Sequence, residues 1–157
     1  MVEIERKFLV TSDDYKTQAT NKKRIVQGFL NTHPKRTVRV RINDDKAYLT
    51  VKGKSNKEGT SRFEWEKEIK ISAAENLLAL CEETIIEKTR YEIPAGNFTY
   101  EVDEFLGINK GLVVAEIELR NENDVFDQPD WLGEEVTGQL KYYNSILSKK
   151  PYGSWKK

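Results

Sequence analysis

The sequence MVEIERKFLV at residues 1–10 alternates charged and apolar side chains, the two-residue period of a β-strand. Successive side chains of a strand point to opposite faces, so Glu3, Glu5 and Lys7 are predicted to share one face. The apolar Ile4 and Phe8 then lie on the other. A single strand of this kind needs no explanation beyond a polar face in water, but its pattern is repeated along the chain.

Charged pairs at the same spacing return in six later stretches, alternating with apolar or β-branched residues. These stretches contain Arg39 and Arg41; Lys52, two residues after the polar Thr50; Arg62, Glu64, Glu66 and Glu68; Lys88 and Arg90; Glu101 and Asp103; and Glu116 and Glu118. Some of these strands carry two basic residues, and others carry two acidic residues. A sheet face that only meets solvent does not need this segregation. The pattern predicts two opposed charged surfaces, and hence a site.

Eight strands are predicted from the alternation. They span residues 2–10, 24–31, 36–43, 46–53, 62–71, 85–93, 97–105 and 112–121. Consecutive antiparallel strands with few helices favour a closed barrel, because closure removes exposed edges. We therefore predict an α+β fold, mainly antiparallel β: an eight-stranded tunnel with helices packed outside, as one domain over residues 1–157. Alternate residues would face its lumen.

The helical predictions are fewer. One helix is predicted to begin at Ser72, where Ser-x-x-Glu with Glu75 is a capping-box signature. Its buried stripe would contain Ala74, Leu77, Leu78 and Cys81. Another is predicted after Thr137-Gly138, with Leu140, Tyr143, Ile146 and Leu147 on one face, and a shorter one near Trp131–Glu134. The polar segment Tyr15–Lys23 fits either a short helix or a loop.

Composition excludes several classes of protein. The 26 basic residues balance the 26 acidic ones, so no overall field attracts duplex nucleic acid or a membrane surface. Cys81 is the one cysteine and cannot form an internal disulfide. The one histidine, His33, lies in a predicted surface loop, which argues against zinc and against a Ser-His-Asp triad. With no long apolar run and no signal-like start, we expect a cytoplasmic protein; the oligomeric state stays open, a homodimer included.

The charged lumen suits a polyanion held together with a cation. Six basic side chains could neutralise phosphates: Lys7, Arg39, Arg41, Lys52, Lys88 and Arg90. Carboxylates would repel the same phosphates unless a hard divalent cation such as Mg²⁺ or Mn²⁺ lay between them. The carboxylates available for this are Glu3, Glu5, Glu101, Asp103, Glu116 and Glu118.

Taken in order, these residues resemble the CYTH superfamily, the triphosphate tunnel metalloenzymes. Residues 3–7 (EIERK) look like the ExExK signature of that family, and the likeness covers nearly the whole chain. It continues through Gln27-Gly28-Phe29-Leu30, the Arg39/Arg41 pair, Thr50-Val51-Lys52, Arg62 to Glu68, Lys88/Arg90, Glu101/Asp103 and Glu116/Glu118. The ending, from Trp131-Leu132-Gly133 to Pro151-Tyr152, resembles short single-domain bacterial members.

The resemblance implies a tunnel that binds a triphosphate compound with Mg²⁺ or Mn²⁺. It implies metal ligands at Glu3, Glu5, Glu116 and Glu118, with Asp103 a further candidate. It implies phosphate ligands at Lys7, Arg39, Arg41, Lys52, Lys88 and Arg90, with Arg62 a weaker candidate. The residues expected to take part in catalysis are Glu3, Glu5, Lys7, Glu116 and Glu118. Related enzymes often carry tyrosine at the position of Phe29, a departure that bears on substrate preference.

The leading hypothesis is metal-dependent hydrolysis of the terminal phosphate of inorganic triphosphate or a small organic triphosphate. A class IV-type adenylyl cyclase is an alternative, although no separate purine-reading motif is visible. A non-catalytic binder of polyphosphate or nucleotide is another. Such a binder would keep the basic residues but would not need both acidic pairs.

Overall fold

The chain forms an antiparallel barrel in a computed structural model that describes residues 1–155. Its strands are β1 (Val2–Val10), β2 (Asn21–Asn31), β3 (Arg36–Asn43), β4 (Lys46–Gly53), β5 (Ser61–Ile69), β6 (Glu82–Ala95), β7 (Phe98–Phe105), β8 (Val113–Leu119) and β9 (Leu132–Glu135). The α-helices are α1 (Tyr15–Gln18), α2 (Ile71–Leu78) and α3 (Asn144–Leu147), and 3-10 turns occur at Gly107–Asn109, Leu140–Tyr142 and Tyr152–Ser154. No helix within residues 1–155 is long and apolar enough to cross a membrane.

The barrel closes where β1 pairs with β5, with Glu3 opposite Arg62. The strand order is β5-β4-β3-β2-β6-β7-β8-β1-β9, and the neighbouring pairs are antiparallel. The predicted eight-stranded tunnel is confirmed. The main errors in its strand bounds are that β2 begins at Asn21 and β6 at Glu82, each three residues earlier than expected.

The short helix predicted near Trp131–Glu134 is wrong, because this segment is the ninth strand. Strand β9 pairs with the end of β1, with Phe8 opposite Glu135 and Val10 opposite Leu132. A Cβ at Gly133 would lie 3.0 Å from the carbonyl oxygen of Leu9, so glycine lets the two backbones approach. Four residues are too few to show the two-residue period clearly in the sequence.

Apolar residues on the outer face of the barrel pack beneath the flanking segments. On one side, an aromatic cluster contains Tyr15 of α1, Trp131 and Tyr100, with the rings of Tyr100 and Trp131 in edge contact at 5.3 Å. The Trp131 indole donates to Gln18 Oε1 at 3.0 Å, which ties α1 to the start of β9. Elsewhere, Ala74 of α2 is buried against strands β3 and β4. The apolar core therefore lies outside the tunnel and leaves its interior to polar groups.

Helix α2 differs from its prediction at both ends. It begins at Ile71, after Lys70 as N-cap residue, and no side chain caps it, so the Ser72 capping box does not form. Ser72 instead lies inside the first turn. Cys81 lies beyond the helix; it is half-buried and packs against the same cluster as Ala74.

One end of the barrel is filled by apolar side chains. Beyond the charged positions, Phe29, Ile86, Phe105 and Val114 of the barrel strands and Leu112, just before β8, join a cluster that also contains Val136, Tyr142 and Leu147 from the C-terminal segment. This C-terminal segment, residues 136–147, forms a 3-10 turn and α3 rather than the single amphipathic helix expected after Gly138. Leu140 is accordingly 66% exposed. We call this cluster the plug.

Gly28 on β2 provides a test of the packing under α2. A Cβ there would lie 2.8 Å from Ile85 Cδ1 and 2.9 Å from Cys81 Sγ. We expect Gly28→Ala to lower the free energy of unfolding by about 1–3 kcal/mol through overpacking. The matched control is Gly53→Ala, whose Cβ meets Phe63 at 3.3 Å at a strand end. Urea unfolding that shows equal losses in both variants would contradict this packing.

Candidate active site

A polar cavity of about 230 Å³ lies inside the barrel. The predicted site residues line it, with the exception of Asp103. Those lining it are Glu3, Glu5, Lys7, Arg39, Arg41, Lys52, Arg62, Lys88, Arg90, Glu116 and Glu118. Their inward direction follows from the strand period, and antiparallel pairing places residues from distant parts of the chain side by side.

The acidic wall is built where β1, β7 and β8 meet. Glu5 pairs with Glu118 across β1 and β8, and Glu101 pairs with Glu116 across β7 and β8. Glu116 is half-buried, whereas Glu118, two residues further along the strand, is exposed. The tunnel therefore opens on the side of Glu118, away from the plug.

The Glu5 and Glu116 side chains lie close enough to share a hydrogen bond. Burial and the neighbouring Glu116 and Glu3 carboxylates raise the pKa of Glu5 well above its usual value. Burial also disfavours charged Glu116, but Lys7, the bond with Glu5, Arg90 and Lys88 together hold the pKa of Glu116 well below its usual range. Two buried acids placed so close together lack enough nearby positive charge to keep both ionised, and a bound cation would supply it.

The arginines on β3 have few charged partners. The Arg41 Nε donates to Gln27 Oε1 at 2.7 Å, and Arg39 Nη2 donates to Thr50 Oγ1 at 3.2 Å, with Glu66 3.5 Å away. The Nε of Arg39 is buried without a hydrogen-bond partner. Burial, with the nearby Arg39 and Arg90, lowers the pKa of Arg41, the effect expected of crowded cations. An anion in the tunnel would accept hydrogen bonds from both Arg39 and Arg41.

Two lysines approach the cavity beside the plug. The Lys7 ammonium donates to the Tyr142 carbonyl oxygen at 3.3 Å and lies 4.8 Å from the centre of the Tyr143 ring. The Lys88 ammonium donates to Asn144 Oδ1 at 2.8 Å and lies 2.8 Å from Asp103 Oδ2. Burial lowers the pKa of Lys88 to about 7; Asp103 opposes that shift, and Arg90 adds to it.

Lys52 of β4 and Glu3 of β1 pair a basic with an acidic side chain of the cavity lining. Lys52 Nζ lies 2.9 Å from Glu3 Oε1 and 3.3 Å from Glu64 Oε2, and the Arg62 Nε lies 3.8 Å from the same Glu3 oxygen. Burial acts against ionised Glu3, but Lys52 and Arg62 bring the net pKa of Glu3 below its usual value. Glu3 is therefore an ionised carboxylate in a network of cations.

Asp103 stands apart from the predicted metal ligands. Its two carboxylate oxygens accept from Arg90 Nε at 2.8 Å and Arg90 Nη2 at 2.9 Å, and Lys88 lies beside them. Asp103 is buried and does not line the cavity. Its oxygens are engaged in holding two basic side chains, so the geometry supports a counter-ion that orients Arg90 and Lys88.

The carboxylates facing the tunnel suit a hard divalent cation, because their donors are all oxygen. The close approach of Glu5 and Glu116 marks the place where positive charge is missing, and Glu118 lies nearby, opposite Glu5 on β8. Among the described side chains, which are those of residues 1–82 and 84–155, no group of three acidic, histidine or cysteine residues is already gathered as a ligand set. A cation would need oxygens from water or phosphate as well, which is the usual arrangement for Mg²⁺.

Several residues at the site were not predicted. Gln27 is fully buried and connects Arg41 to Asn144, to which its Nε2 donates at 2.8 Å. Gln27 keeps the inward period of β2 with Phe29, so strand alternation could have identified it. Asn144 and Tyr143 come from the C-terminal segment, whose irregular path leaves no periodic signal. His33 lies outside the cavity, where its Nδ1 accepts the Lys35 amide.

A closed antiparallel barrel with opposed basic and acidic inner walls defines a class of phosphate-binding tunnel proteins. The CYTH domain family model matches residues 1–149, and the chain belongs to the CYTH family. An inorganic triphosphatase from Acetivibrio thermocellus is 52% identical over 157 residues, covering 98% of this chain and 97% of that protein. One from Nitrosomonas europaea is 36% identical, covering 94% and 97%. The solved structure of the inorganic triphosphatase NE1496 aligns with a TM-score of 0.65 at 30% identity, covering 93% of each chain.

Asp103→Asn tests the counter-ion assignment through its pH dependence. Burial alone would raise the pKa of Asp103, but Arg90 and Lys88 lower it below its usual value. The stabilisation is thus present above the unfolded pKa of about 3.9 and is lost as pH falls through the folded pKa. We expect the variant to lose roughly 3–5 kcal/mol at pH 7, and the gap from wild type to shrink below pH 4.

The measurement is urea unfolding at pH 7, 4 and 3. The control is Glu92→Gln, which removes a partly exposed pair with Lys23 and should cost under about 1 kcal/mol. A gap between wild type and Asp103→Asn that stays constant from pH 7 to pH 3 would rule out the assignment.

Proposed function

We propose that this protein is a divalent-metal-dependent triphosphatase that removes the terminal phosphate of inorganic triphosphate. The observation that carries the proposal is one cavity lined by unsatisfied basic groups on one side and crowded carboxylates on the other. A polyphosphate neutralises the first set, and a cation neutralises the second. The names of the two relatives, both above 30% identity over almost the full chain, support inorganic triphosphate as substrate.

The basic wall, made up of the lining residues Arg39, Arg41, Lys52, Lys88 and Arg90, would hold the phosphate chain. Arginine forks on β3 can take two phosphate oxygens each, since Arg41 uses Nε for Gln27 and keeps its two terminal nitrogens for the ligand. Lys7 has only neutral partners in its hydrogen bond and ring contact, so its charge is available to a phosphate. Held along this wall, the chain is fixed relative to the acidic side, where hydrolysis needs charge stabilisation.

The acidic wall would bind Mg²⁺ or Mn²⁺ through Glu5 and Glu116, with Glu3 and Glu118 as further ligands. Such a cation supplies charge neutralisation for the phosphoryl group and favours ionisation of water. A cation bound there would favour the ionised form of Glu5, whose pKa burial and Glu116 raise in its absence. Glu3 would also have to turn from Lys52, which is then free to contact phosphate. In the reaction water adds to the terminal phosphorus, the bridging P–O bond breaks, and pyrophosphate and phosphate leave.

A non-catalytic binder is less well supported by the geometry. Basic residues alone would bind a polyphosphate, and the buried contact between Glu5 and Glu116 would then only reduce the affinity. The presence of two carboxylates in contact inside the tunnel therefore favours a cation-dependent activity.

The proposal is tested by phosphate release from tripolyphosphate, nucleoside triphosphates and thiamine triphosphate with Mg²⁺ or Mn²⁺. We expect turnover of tripolyphosphate that excess chelator abolishes. Cyclic AMP formation from ATP is measured in the same reactions and should be absent. A folded protein that hydrolyses none of the three compounds would overturn the proposal.

Glu116→Gln separates metal binding from a structural role. We expect kcat to fall by about 100-fold or more, because a charge-stabilising ligand is lost, while the barrel stays folded. Mn²⁺ should raise the wild-type unfolding temperature, since a ligand that binds the native state stabilises it, and this shift should shrink in the variant. The matched control is Glu104→Gln, whose carboxylate pairs with Lys16 on the outside of the barrel. A Glu116→Gln protein with the full Mn²⁺ shift and near-normal turnover would show that Glu116 is not a metal ligand.

A further inference from the structure

Asn144 reaches the tunnel from the plug end and is held there by two donors. Its Oδ1 accepts from Gln27 Nε2 at 2.8 Å and from Lys88 Nζ at 2.8 Å. Asn144 also lines the cavity, together with Lys7 and Arg41. It is therefore a neutral side chain placed among the basic residues at the blind end.

The orientation of the Asn144 carboxamide is fixed by its neighbours. Arginine and lysine side chains can only donate. Arg41 donates through Nε to Gln27 Oε1 at 2.7 Å, so Gln27 has only its Nε2 group left to offer Asn144. Lys88 can offer only N–H groups as well. Both neighbours thus require an acceptor, and the oxygen of Asn144 must face them.

The nitrogen of the same carboxamide has no such engagement. No hydrogen bond joins Asn144 Nδ2 to another residue in the part of the chain that the structure describes, and this atom is not among the buried polar atoms without a partner. Two N–H donors are therefore accessible from the cavity. Their position beside Lys7 and Arg41 offers a hydrogen bond to an anion without adding a further positive charge to a crowded group of cations.

We propose that Asn144 is a substrate-binding residue whose Nδ2 group donates a hydrogen bond to a phosphate oxygen at the plug end of the tunnel. The assignment rests on the proposed function for the identity of the ligand, a triphosphate. The plug blocks the tunnel beyond this point. Asn144 would therefore contact the phosphate nearest the plug, which is a terminal phosphate when the chain enters from the open end.

The test is the dissociation constant of tripolyphosphate, measured by titration calorimetry in excess chelator so that no turnover occurs. Asn144→Ala should weaken binding by roughly tenfold, the loss expected for a hydrogen bond to a charged group. Asn144→Asp should weaken it further, because the carboxylate still accepts from Lys88 and Gln27 but repels phosphate. The matched control, Asn123→Asp, adds the same charge on the exposed surface and should bind as wild type does.

The outcomes separate this assignment from the hydrolase proposal. Unchanged affinity in both Asn144 variants overturns it, whatever the turnover. A lower unfolding temperature with unchanged affinity shows that Asn144 only supports the plug, and also overturns it. If one variant fails to fold by circular dichroism, the other decides. Turnover of tripolyphosphate by the wild type with Mn²⁺ is measured in parallel: a protein that binds through Asn144 but does not hydrolyse keeps this assignment and loses the proposed activity. A wild type that neither binds tripolyphosphate in chelator nor hydrolyses it with Mn²⁺ overturns both.

Discussion

The desolvation of many charged side chains inside one closed barrel is the constraint on which this structure depends. Charges buried without partners cost several kcal/mol each, so the interior must supply counter-charges or leave groups for a ligand. Both solutions occur here. Arg90 and Lys88 share Asp103 as a counter-ion, and Lys52 pairs with Glu3. Glu5 and Glu116 instead lie close together, and the Nε of Arg39 is buried without a hydrogen-bond partner.

This division between paired and unpaired charged groups explains how the lining of the barrel can be stable and still bind a ligand. The paired groups fix the position of the basic side chains, because Asp103 binds Arg90 through two parallel hydrogen bonds. The unpaired groups are those that a cation and a polyphosphate would satisfy together. Binding of the two would be mutually favourable, since each neutralises the charge that the other meets. The ligand site therefore consists of charged groups whose charge or hydrogen bonding the fold does not fully satisfy.

The distribution of apolar residues follows from the same constraint. Only 38% of the chain is apolar, because the space inside the barrel is given to charged groups. Stability must come from the outer face, where Tyr100 and Trp131 pack in edge contact, and from the plug, where Tyr142 and Leu147 are buried. The plug also gives the tunnel a closed and an open end. The open end is acidic, with Glu118 exposed there.

The sequence predicted the barrel and most of the lining because strand alternation is a local signal with long-range consequences. Once the β1 and β8 patterns are read, inward placement of Glu5 and Glu116 follows. The signal failed where the two-residue period is absent or misleading. Asp103 keeps that period but is covered by Arg90, a contact that spacing does not reveal. The four residues of β9 were too few to show a period, and Asn144 sits on an irregular segment.

The central claim is that one tunnel holds a phosphate chain on its basic wall and a divalent cation on its acidic wall. A crystal structure with Mn²⁺ and a triphosphate whose bridging oxygens are replaced by nitrogen tests this most directly, because the cation is located by its anomalous scattering. The account predicts an anomalous peak next to the Glu5 and Glu116 carboxylates, with phosphates along Arg39 and Arg41. An anomalous peak elsewhere, or phosphates bound outside the barrel, would contradict it.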